Sequence, residues 1–307
     1  GVSVTTGVFN TLLGGLAGDA LTDADHNVAI GEEALGNDTL GSRSVAIGRI
    51  ALFAQNFTTA TDVYNVAVGY GAGAANTTGI YNTFIGGLAG DSNTSGQRNV
   101  GVGLQALDFN TVGDASVAVG TNALRKQNPA TNTDMYNVAV GDEAGAETTT
   151  GTDNTFIGGK AGQANTTGQF NVYVGTDAGE ALTVGSSNVV VGRGALEQDT
   201  KGSKTVAIGQ GTLNAQNFTT ATDTYNTAVG HNAGVAVTTG VQNTLIGSQV
   251  GDALTDADFN TAIGYLALST DTLGSKSTAI GYAALKDQNF TTATDSFNVA
   301  VGHLAAE

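Results

Sequence analysis

The amino-acid sequence predicts an all-β fold, a parallel β-solenoid (β-roll) of 17-residue coils running through residues 1–307 as a single tandem-repeat segment. Three observations carry that expectation. A glycine returns at a fixed spacing along the whole chain, and the residues just before it keep one alternation of side-chain types in every copy. No stretch shows the i, i+3, i+4, i+7 apolar stripe of an amphipathic helix.

The glycine recurs at Gly14, Gly31, Gly48, Gly69, Gly86 and onward to Gly302. Neighbours are 17 residues apart except at four places (48 to 69, 120 to 141, 209 to 230, 281 to 302), where the spacing is 21. Glycine suits a corner that needs positive φ or a close backbone approach. Three residues before it stands a β-branched side chain, such as Val28, Val45, Thr83 or Thr261, and one before it an aliphatic, such as Ile30, Ile47 or Val68. These share a face of a strand. The residue between them points the other way and is usually Ala, becoming Leu12, Phe84, Phe156 or Leu245 in particular coils. This thin Ala, Leu and Phe face is expected to need a partner surface. The Ala found three residues after nearly every glycine marks a crowded place where chain packs on chain.

A 17-residue unit is too short for a strand plus a helix and fits one coil of two short strands joined by turns. The column Asn10, Asn27, Asn65, Asn82, Asn99 then forms a ladder at a turn, each amide bonding to the next coil. Four residues after the glycine the chain reads Gly18, Leu35, Leu52, Gly73, Gly90, Leu107, Leu124, and so on. This sets blocks of four coils, one enlarged to five, with a longer loop in each. The chain opens and closes inside blocks, so the sequence is expected to be an excerpt of a longer array.

The motifs Ser44-Val45-Ala46-Ile47-Gly48 and Asn27-Val28-Ala29-Ile30-Gly31 resemble the repeat of trimeric autotransporter adhesin heads. The longer phrase from Thr77-Thr78-Gly79 through Asn82-Thr83-Phe84-Ile85-Gly86 to Ala89-Gly90, repeated from Thr149 to Gly162, resembles repeats of bacteriophage tail fibres. The resemblance implies a left-handed β-roll, three chains side by side as a homotrimer, and an extracellular place on a virion fibre used for host attachment. A host glycan or receptor would be met through a distal region. The alternatives are a bacterial surface adhesin head and a self-assembling extracellular filament. The chain departs from the adhesin pattern in its longer coil and in long loops that recur every fourth coil, and the Thr-Thr-Gly phrase favours the phage fibre.

Composition points away from other classes. Net charge is −16 with only 12% charged residues, unsuited to nucleic acid or anionic membranes. Cysteine is absent, and no apolar run approaches the ~18 residues of a membrane span. The start, Gly1-Val2-Ser3-Val4, shows no signal-peptide pattern. No catalytic, cofactor or metal site is expected. His231 and His303 share a repeat position with Tyr70 and Asp142, and there is no His-x-His motif. Asp19, Asp23 and Asp25, with their copies Asp252, Asp256 and Asp258, lack the order and closing Glu of an EF-hand and read as turn residues. Thr58-Thr59-Ala60-Thr61 recurs only every fourth coil, too sparse for an ice-binding array. The remaining candidates for contact are the long loops, whose apolar tips are Phe57, Pro129, Phe218 and Phe290 and whose ends precede Tyr64, Tyr136, Tyr225 and Phe297. Their similarity from block to block favours bracing over recognition.

Overall fold

The computed structural model describes residues 1–306, and no helix occurs among them. It is a parallel β-solenoid of about 17 turns with coils of about 17 residues. The chain forms two compact units, Gly1–Asp153 and a second beginning at Asn154. Each coil contributes one three-residue strand: eight in the first unit, Thr11–Leu13 to Val138–Val140, and nine in the second, Thr155–Ile157 to Val299–Val301. Within each unit like sits on like. Val28, Ala29 and Ile30 pair with Val45, Ala46 and Ile47, and Thr261, Ala262 and Ile263 with Thr278, Ala279 and Ile280.

The second strand expected in every coil is present only beside the four insertions. Gly41–Ser42 pairs with Thr61–Asp62, and the same short ladder recurs at Gly113–Asp114, Gly202–Ser203 and Gly274–Ser275. Elsewhere the return path bends through left-handed residues such as Glu33 and Leu35, at φ 56 and 53°. Single backbone bonds replace a ladder there: the Leu35 N–H donates to the Ala51 carbonyl at 2.9 Å.

One expectation is reversed. The Ala, Leu and Phe column does not wait for a partner surface, because it forms the interior of the coil itself. Ala29, Ala46, Phe84, Phe156 and Leu245 are buried, whereas Val28, Ile30, Val45 and Ile47 point outward and are half-buried. A two-residue period shows which side chains share a face, not which face is inside. The Ala column three residues after the glycine is likewise buried within the coil.

A 17-residue coil encloses room for about one large side chain, supplied from either of two positions. Where the mid-strand residue is Ala, Leu stands four after the glycine: Ala29 with Leu35, Ala46 with Leu52, Ala118 with Leu124. Where it is large, that place is Gly: Phe84 with Gly90, Phe156 with Gly162, Tyr173 with Gly179. A Cβ on Gly162 would lie 2.6 Å from Phe156 Cδ1 and 2.9 Å from Tyr173 Cδ2. The coils of Ala67, Ala139, Ala228 and Ala300 carry neither large residue, and the coil of Val190 carries Leu196 as well. Neighbours reach into the gaps: a Cβ on Gly73 would meet Leu52 and Phe84 at 3.0 Å, and one on Gly234 would meet Leu245 and Leu213 at 2.7 and 2.9 Å. Holding Leu35 or Leu52 in the left-handed region costs about 1–2 kcal/mol, offset by the roughly 1.5–3 kcal/mol gained on burying a Leu side chain. The block of four is therefore a filling pattern: two Leu coils, one coil with neither, one large-residue coil.

The repeated glycines stack on one another at φ between 131 and 142°. A Cβ at Gly69 would stand 2.6 Å from the carbonyl carbon of Gly86, which no relaxation of a side chain could relieve. The asparagine ladder is present as expected. Asn27 donates through Nδ2 to the Gly41 carbonyl at 2.9 Å and accepts the Ser44 N–H at 2.8 Å. Asn82 repeats this with Gly96 and Asn99 at 2.8 and 3.0 Å. These amides are buried and spend both ends on the following coil, satisfying backbone groups that would otherwise be stranded.

Candidate functional site

The long loops are tied into the solenoid by polar groups beneath them. At the coil before each insertion the ladder Asn is replaced by Ser44, Ser116, Thr205 or Ser277. A glutamine from the loop start supplies the missing amide. Gln55 donates to Ser44 Oγ at 3.1 Å and accepts from Asn65 Nδ2 at 2.9 Å; Gln127, Gln216 and Gln288 do the same with Ser116 and Asn137, Thr205 and Asn226, and Ser277 and Asn298. Buried Asp38 accepts from Gln55 Nε2 at 2.6 Å and from the N–H groups of Phe57 and Gly41 at 3.0 and 3.1 Å. Asp199 and Asp271 repeat this, taking the N–H of Phe218 and Phe290.

The four tip residues are thus not displayed. Phe57, Pro129 and Phe218 are buried and Phe290 is half-buried. Each loop is also clamped from outside. Arg43 pairs with Asp62 at 2.8 Å and lies over the Tyr64 ring, 5.7 Å from its centre. Lys204 does so with Asp223 and Tyr225, at 2.6 and 5.1 Å, and Lys276 with Asp295 and Phe297, at 2.5 and 5.3 Å. In the second loop the corresponding residue is Ala115, and Arg98 reaches over it from one coil further back to Asp134 at 2.6 Å. The Asp223 carboxylate raises the Lys204 pKa, first through their hydrogen bond. Being exposed, these pairs are screened by solvent and add little to stability.

The surface that the fold leaves uncovered is the outer side of the main sheet. In each unit, the side chains three and one before the glycine form a strip of Val, Ile and Thr. Ile85 and Ile246 remain 39% and 38% exposed. Beside the strip, five before the glycine, runs a column of left-handed residues that includes Phe9, His26, Arg43, Tyr64, Tyr81 and Arg98. Phe9 stacks on His26 at 5.0 Å and Tyr64 on Tyr81 at 6.0 Å. This column was not singled out from the sequence. Its signal was there, as aromatic and basic residues at one repeat position, and Tyr64, Tyr136, Tyr225 and Phe297 are its members at the insertions. A contiguous apolar strip of this kind is a mark of an interaction surface.

The remaining candidates sit apart. His303 stacks on Tyr282 at 4.9 Å. Asp25 and Asp258 each accept a backbone N–H of the preceding coil, Val8 and Val241, at 2.7 Å, and Asp256 accepts from Thr239 Oγ1 at 2.6 Å. Asp91 has a raised pKa, from burial and then from the charge of Asp108 one coil on. Burial raises Asp108 too, opposed by Arg125 at 3.6 Å. No protein-family model, no curated protein and no solved structure matches this chain.

Proposed function

We propose that the chain is a structural shaft or head segment of a trimeric bacteriophage tail fibre serving host attachment, in which identical chains associate side by side. The observation that carries this reading is the outward strip of β-branched side chains. The coil fills its own interior with Ala, Leu and Phe and leaves Val and Ile outside, as a surface meant to be covered by a like surface would require. The inward-packed loop tips agree with a bracing role, with receptor or glycan contact made by a distal region of the fibre. A bacterial trimeric autotransporter adhesin head is the second reading, favoured by the strand motif at Ser44–Gly48.

Immunogold electron microscopy with antibodies to the purified chain tests it. Label on fibres of tailed particles is expected. Label on bacterial envelopes would move the assignment to the adhesin, and label on neither would contradict both.

A further inference from the structure

We propose that a cleft on the second unit, walled by Asp177 and Asn232, binds a single uncharged pyranose ring. Two residues after the repeated glycine most coils carry a side chain on the outer surface, such as Leu16, Glu33, Ile50, Gln105 or Asn122. At Gly194 and Gly211 two successive coils lack it, and nowhere else does this happen twice in a row. The missing side chains open a cleft of about 270 Å³ lined by Asp177, Arg193, Glu197, Gln210, Asn214 and Asn232. That is just below the roughly 300–1,000 Å³ of small-molecule sites, room for one ring and not for a chain.

The lining is organised for hydroxyls. Asn214 Nδ2 donates to Glu197 Oε2 at 2.8 Å and to the Gly194 carbonyl at 2.9 Å, while Gln198 donates to Asn214 Oδ1 at 3.0 Å. Glu197 and Asn214 are therefore held in place. The Arg193 guanidinium, the Asp177 carboxylate and the Gln210 amide make no side-chain hydrogen bond or ion pair among the described residues. Acceptors and donors thus face one space, and vicinal hydroxyls, which both donate and accept, match that mixture. An anion would meet two carboxylates, and a cation would meet Arg193. The cleft also spans the end of the block enlarged to five coils and the first coil of the next, which supplies Asn232, and the paired glycines that open it have no copy in other blocks, whereas the features that hold the solenoid together recur block after block.

Saturation-transfer difference NMR tests this without reference to any role in a fibre. The probes are the methyl pyranosides of glucose, galactose and N-acetylglucosamine, with acetate and methylammonium as charged probes. In Gly194→Gln a side chain fills the cleft, and the place tolerates it, since Gln105 and Gln249 occupy the same position at φ 56 and 52°. Arg193→Ala, at an exposed side chain, removes one donor without touching the backbone. Transfer to at least one pyranoside is expected, falling about tenfold or more in both variants, with melting temperatures within about 2 °C of the parent. No transfer to any pyranoside, transfer that survives both variants, or transfer to the charged probes alone would overturn the proposal.

Discussion

Asp38 is a buried carboxylate with no cation beside it, and it is tolerated because three donors meet it: the Gly41 N–H, the Phe57 N–H and Gln55 Nε2. The second insertion shows the same rule from the other side. There the tip is Pro129, which has no N–H to give, and the residue beneath is Asn110 instead of Asp. Asn110 accepts the Gly113 N–H at 3.1 Å and donates to the Gly113 carbonyl at 2.9 Å. Asn110→Asp would set a carboxylate against that carbonyl with one donor missing. A loss of about 2–3 kcal/mol is expected in urea denaturation, the cost of an under-satisfied buried charge. Adding Pro129→Phe, which restores the N–H, should recover part of it, with a coupling of about 1 kcal/mol in the double-mutant cycle. Strict additivity would show that the Asp and Phe pairing at the other three insertions has another cause.

At the scale of the coil, the rule of one large side chain from either of two positions makes coil type exchangeable. Gly90→Leu alone collides with the Phe84 ring, whose Cδ1 a Cβ would approach to 2.5 Å, and Phe84→Ala alone leaves a cavity costing about 3–5 kcal/mol. Made together they convert a large-residue coil into a Leu coil, and the double variant is expected to melt well above either single one. The loops carry a parallel expectation. Changing Phe57, Phe218 and Phe290 together to Ser should lower the melting temperature by many degrees, since two of the rings are buried; unchanged melting with lost cell adsorption would make them recognition residues instead. Much of this scale was legible in the sequence. The fixed spacing showed the coil, and the β-branched, Asn and Gly columns showed the strand, ladder and corner. Two things were not. Alternation leaves the inward face undetermined, and only the tightness of the coil sends the small column inside. The return path has too few consecutive extended residues for a strand, and the left-handed residues that bend it are not glycine in every coil: Glu33 and Leu35 stand where another coil carries Gly71 and Gly73.

For the molecule as a whole, the outward strip is the feature that the chain's own packing does not account for. If like chains cover it, Val45→Lys, Val117→Lys and Val206→Lys should separate the chains while each coil keeps its interior, because none of the three points inward. Sedimentation equilibrium at micromolar concentration tests this most directly. The parent chain is expected to run at three times its 30.6 kDa mass, and the three-lysine variant to shift towards smaller species with its β-sheet circular dichroism kept. A parent protein that sediments as a folded 30.6 kDa monomer would contradict it.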